Sequence, residues 1–111
     1  MAEVIVYYDL ETTDCKPLTR PKHKGVQILA IGAMNGKTGE EFMKYILPTC
    51  EINPGAARVN GFAISGDELL LRGVRVDARK AEEVLPEFLD WLENQNCKYL
   101  VSTLKTKFQL I

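Results

Sequence analysis

This chain of 111 residues is poor in the groups that staple or metallate small proteins. Its three cysteines, Cys15, Cys50 and Cys97, are widely spaced and fall in no Cys-x-x-Cys or Cys/His grouping. Neither a zinc site nor a disulfide framework is indicated, and a reducing compartment is the natural inference. The one histidine, His23, sits in a lysine-rich loop, so no Ser/His/Asp or Cys/His nucleophilic set can be assembled. No apolar stretch approaches membrane-spanning length. The N-terminus has no basic segment before its short apolar run, so no signal peptide is expected. Together these absences point to the cytoplasm or the nucleus and away from a membrane. There is also no internal repeat, low-complexity stretch or linker.

Charge is balanced as well. A net charge of −1 gives no overall attraction to nucleic acid, so any such binding must come from a local patch. One patch exists: Lys16, Arg20, Lys22, His23 and Lys24 crowd a single loop. A short basic run is commonly a solvated loop, but beside a metal site it can also contact phosphates. With 46% hydrophobic residues, the chain has enough apolar material for one core.

The most informative stretch lies near the start. Val4 to Tyr8 is a β-prone apolar run that leads directly into Asp9-Leu10-Glu11-Thr12-Thr13. A strand alternates its faces, which puts Asp9 and Glu11 on the same side, roughly 7 Å apart at their Cα atoms. Two carboxylates so placed repel each other unless a cation relieves them. Hard oxygen ligands on a short rigid element suit Mg²⁺ or Mn²⁺ better than zinc. Asp9 and Glu11 are therefore the candidate metal ligands and catalytic acids.

Beyond the basic loop, Gln27 to Met34 reads as a second strand and Glu40 to Leu47 as a third. Asn35-Gly36 between them predicts a hairpin through positive φ angles, which makes the first three strands an antiparallel meander. Pro54 suits the first position of a helical turn. The pattern from Gly61 to Val76 is ambiguous, with Leu69-Leu70-Leu71 compatible with strand or short helix. Asp77 is placed to cap a helix running to Asn94, with Ala81, Val84, Leu85, Phe88, Trp91 and Leu92 as its buried stripe. Cys97 to Val101 predicts a fourth strand, and residues 102–111 read as a tail without a clear period.

Two motifs tempt and fail. Gly32 to Thr38 approximates a P-loop, but three residues instead of four separate its first glycine from Gly36-Lys37-Thr38, and a strand follows where a helix is required. Asp9-Leu10-Glu11-Thr12-Thr13 also approximates the aspartyl-phosphate phosphatases, whose second acid is Asp and whose sheet is parallel.

Asp9-Leu10-Glu11-Thr12-Thr13 after an apolar strand resembles the first motif of the DEDD (DnaQ-like) 3′–5′ exonucleases. Val26 to Ala33 is similar to that family's second strand, and Val59-Asn60-Gly61-Phe62 to its substrate-facing His-Gly segment, with Asn60 in the histidine position. The Asn-Gly-Phe variant is most like the exonuclease-like domain of the promyelocytic leukaemia protein. Leu85 to Leu92 resembles the helix before the fourth strand. The resemblance implies an α/β fold of ribonuclease H type: a mixed sheet with the antiparallel meander, a helix and the fourth strand. It implies two metal ions held by Asp9 and Glu11 with later acids, and substrate contacts at Thr12 and Asn60. The substrate would be the single-stranded 3′ end of a nucleic acid, hydrolysed with Mg²⁺.

After Val101 the family continues with a histidine and then Phe-Asp, whereas here Phe108 is followed by Gln109, and the late histidine base has no counterpart. The expectation is a C-terminally incomplete domain: residues 1–101 as the N-terminal part of an exonuclease-like unit, residues 102–111 as a divergent tail, and no activity for the chain alone. The alternatives are a non-catalytic interaction module on the same fold and an aspartate-based phosphatase.

Overall fold

The strand that carries the acids runs from Val4 to Thr12 (β1) in a computed structural model that describes residues 3–13 and 26–103. The basic loop and the residues from Leu104 onward lie outside the described residues, and so do the expectations that rest on them. β2 (Ile28–Asn35) returns antiparallel to β1, and β3 (Glu41–Ile46) antiparallel to β2, as the alternation of apolar residues requires. After α1 (Pro54–Asn60) come three short strands, β4 (Phe62–Ser65), β5 (Glu68–Leu71) and β6 (Val74–Val76). They form a separate antiparallel sheet. β7 (Ala78–Arg79), α2 (Ala81–Asn94) and β8 (Cys97–Ser102) complete the described chain. The main sheet has the order β7-β3-β2-β1-β8, with β8 parallel to β1.

Alternation along β1 divides the molecule into two layers. Val4, Val6, Tyr8 and Leu10 face α2, and Val6 and Val84 are both fully buried there. Phe42 packs at 5.2 Å from Phe88 and 5.7 Å from Trp91, closing this core under β3. On the opposite face, Leu29 and Ala30 pack against Phe62 and Leu69 of the small sheet, with Tyr45 edge-on to Phe62.

Several expectations change on the structure. The hairpin after β2 does not use Gly36 for a positive φ; Gly39 supplies it, at 78°. Asn35 builds the turn instead, its Oδ1 accepting from the N–H groups of Lys37 and Thr38. Gly36 is a glycine for lack of room: a Cβ there would lie 2.8 Å from the Tyr7 ring and 3.0 Å from the Ile5 carbonyl oxygen. Asp77 does not cap α2. Ala78 and Arg79 pair parallel with Tyr45 and Ile46, and the Arg79 carbonyl accepts from Leu47 N–H, so the strand claims the residues a longer helix would need. The helix begins after Lys80, and no side chain caps it. The ambiguous stretch after Gly61 is strand throughout, its turns made by Gly66 at φ 64° and by Arg72-Gly73 at φ 50° and 83°.

Candidate active site

Asp9 and Glu11 lie on the face of β1 turned away from α2, opposite Gly32 and Ala30 of β2. That face is covered at one end and open at the other. Around Ala30 it is closed by Phe62 and Leu69, whereas beyond Asp9 the neighbouring Tyr7, Met34 and Met43 are each more than a third exposed. Asp9 stands at the border, with its Oδ1 shut off from solvent. Gly32, paired with Asp9, lies against Met43: a Cβ there would stand in ordinary contact with Met43 Sδ at 3.4 Å.

The end of the motif is shaped by a bulge. Glu11 pairs with Ala30 but Thr12 with Ile28, so Leu29 is an extra residue on β2 and the register shifts between the acid and the threonine. A bulge of this kind bends the strand and re-aims the side chains that follow it. Leu29 is fully buried, which anchors the irregularity in the second core.

Five hydrogen bonds then fix the chain beyond the bulge and the residue that holds it. The Asn60 amide donates to the Thr12 carbonyl at 3.1 Å, while its Oδ1 accepts from Phe62 N–H at 3.0 Å. Asn53 N–H donates to the Thr13 carbonyl at 2.8 Å. Thr13 N–H donates to the Gln27 carbonyl at 2.9 Å, and Gln27 N–H returns to Thr13 Oγ1 at 3.1 Å. Thr13 and Asn53 are buried. Asn53 also accepts from Gly55 N–H through Oδ1, with Pro54 at the first position of α1, so one residue starts the helix and ties it to the acid motif.

The structure thus brings Asp9, Glu11, Thr12 and Asn60 to one end of β1. Sequence reasoning did not find Thr13 or Asn53, although Asn53-Pro54 is a readable helix start. The Asp9 and Glu11 carboxylates, hard oxygen donors on one face of β1, fit a hard divalent cation, which commonly keeps several of its own waters. Among the described residues, no group of three or more carboxylate, histidine or cysteine side chains is placed to hold a metal.

The Exonuclease (RNase T) family model matches residues 6–109, most of the chain, and the chain belongs to that family. The nuclease domain of 3′hExo, a DEDDh family member bound to rAMP, superposes with a TM-score of 0.57 at 18% identity, covering 90% of this chain and 51% of that one. A full-length 3′-exonuclease gives a TM-score of 0.56 at 19% identity, covering 90% of this chain and 34% of that one. The chain therefore spans about half, or less, of the length of these structures. Their likeness establishes the ribonuclease H-like exonuclease fold. No curated protein matches the sequence.

Proposed function

We propose that this nuclease-type domain carries the first metal-binding half of a 3′–5′ exonuclease site. In this reading Asp9 and Glu11 hold Mg²⁺ or Mn²⁺, and the substrate is the single-stranded 3′ end of a nucleic acid. The observation that carries it is the pair of acids on one face of β1, at the border between its covered and open halves. The bound ion would supply Lewis-acid polarisation of a phosphoryl oxygen. The chain's own residues orient and anchor: Thr12 meets the terminal nucleotide, and the bulge and the Asn60 hydrogen bond set its direction. Asn60 has both ends of its amide engaged, so its contribution to substrate binding runs through Thr12. The loop from Lys16 to Lys24 adds phosphate contacts.

Made alone, the chain binds metal and nucleic acid without sustained hydrolysis, because among the described residues no histidine accompanies the two carboxylates as a general base. The Asn60-Gly61-Phe62 segment supports a place near the exonuclease-like domain of the promyelocytic leukaemia protein. A non-catalytic interaction module is the second reading, favoured by the exposed apolar surface of Tyr7, Met34 and Met43. Titrating single-stranded oligonucleotides in Mg²⁺ against the parent chain and Asp9→Asn separates the two. Oligonucleotide binding that weakens in Asp9→Asn supports the nuclease site. Binding indifferent to that substitution supports the interaction module.

A further inference from the structure

We infer that Arg72 is a contact for the phosphate backbone of a nucleic acid held at the acid motif, an inference that rests on the nuclease reading above. Arg72 is far from that motif in sequence but joined to it through two short contacts. Its backbone N–H donates to the Gly61 carbonyl at 2.8 Å, and its side chain lies across Gly61. A Cβ on Gly61 would come within 2.8 Å of Arg72 Cγ and 3.3 Å of Nε. Gly61 directly follows Asn60, whose amide holds the Thr12 carbonyl. Arg72 is thereby linked to Thr12, the residue after Glu11, through Gly61 and Asn60.

Three features separate Arg72 from an ordinary surface arginine. It occupies a left-handed backbone position, φ 50°, where glycine would be more comfortable and a side chain is retained at a cost. It is exposed and makes no ion pair among the described residues, whereas Arg75 and Arg79, close by in sequence, are paired to Glu68 and Glu87. Its place across the end of α1 is kept clear by Gly61, itself at φ 78°, where a Cβ would collide with the Arg72 side chain. An unpaired guanidinium presents a planar fork of donors that matches phosphate oxygens. A chain with net charge −1 has no overall attraction for a polyanion, so phosphate binding must come from local cations such as this one.

The test is a salt series of fluorescence-anisotropy titrations of the full chain, in chelator, against 5′-fluorescein-labelled oligothymidylate and oligouridylate. For single strands, removing one phosphate-binding cation flattens the slope of log affinity against log salt by about 0.7. Arg72→Gln and Arg72→Gly are expected to flatten it by that amount, Arg72→Lys to keep the slope, and Arg75→Gln to leave it unchanged. Arg72→Gly also relieves the left-handed backbone, so its melt stays at or above that of the parent and a weakened affinity cannot come from unfolding. An unchanged slope in both Arg72→Gln and Arg72→Gly overturns the inference, and so does a parent chain that binds neither oligonucleotide. The nuclease reading fails separately: an Asp9→Asn chain with the parent's Mn²⁺ response removes the metal site while leaving an Arg72-dependent slope in place.

Discussion

The Asn60 side chain donates to the Thr12 carbonyl across 48 residues of sequence, at the point where β1 runs out of the sheet. With its other end accepting from Phe62 N–H, this amide welds three elements: the acid strand, α1 and the first strand of the small sheet. Alanine at Asn60 leaves a carbonyl and an N–H without their partner, a loss of about 1–3 kcal/mol for buried groups. Asn60→Asp restores the acceptor for Phe62 but sets a carboxylate oxygen against the Thr12 carbonyl, so it is expected to rescue nothing. Urea unfolding of the two variants measures this; full rescue by aspartate would show that the Thr12 bond contributes little.

Asp9 and Glu11 are expected to bind one divalent ion weakly. Adding Mn²⁺ should broaden the backbone NMR signals of residues 9 to 12, and Asp9→Asn should abolish the effect while leaving the melt intact. Equal broadening in the mutant would place the ion elsewhere.

The two faces of the sheet should respond oppositely to substitution. Ile31 lies opposite Leu10 and is 1% exposed in the core beneath α2, so Ile31→Ala is expected to cost about 2–5 kcal/mol. Met43, 48% exposed on the acid face, can become lysine within about 0.5 kcal/mol. The same change should lower binding of a dye that reports apolar surface, since Tyr7, Met34 and Met43 form the wet side of the sheet. Dye binding that Met43→Lys leaves undiminished would locate the apolar patch on another surface.

The Arg79–Glu87 pair, 2.6 Å apart, ties edge strand β7 to α2 and gives stability a small acid limb. The hydrogen bond from Arg79 holds the Glu87 carboxyl below its ordinary value of 4.5. Its contribution is therefore present above that value and is lost as pH falls through the depressed one. Arg79 is raised by the same bond and stays protonated throughout, so it adds no slope in this range. Comparing the melts of the parent chain and Glu87→Gln across acid pH should show a gap at neutral pH that closes on acidification. A constant gap would mean that the pair is not what couples stability to pH.

Much of this protein could be read directly from local order. The strand–acid junction at Tyr8-Asp9, the meander, the Pro54 helix start and the Val84–Phe88–Trp91 stripe all follow from period and local chemistry, which act over a few residues. The acids' common face followed from alternation alone. Other features were settled only by distant partners. Asp77 does not act as a cap because β3 offers Ala78 and Arg79 a strand to pair with. The bulge at Leu29 depends on a buried pocket made by Phe62 and Leu69, more than thirty residues onward. Asn60 reaches Thr12 only because α1 folds over one end of β1. Short-range sterics and periodicity place a residue on a face; which face is covered, and which polar group closes over it, is decided by the packing of elements far apart in the chain.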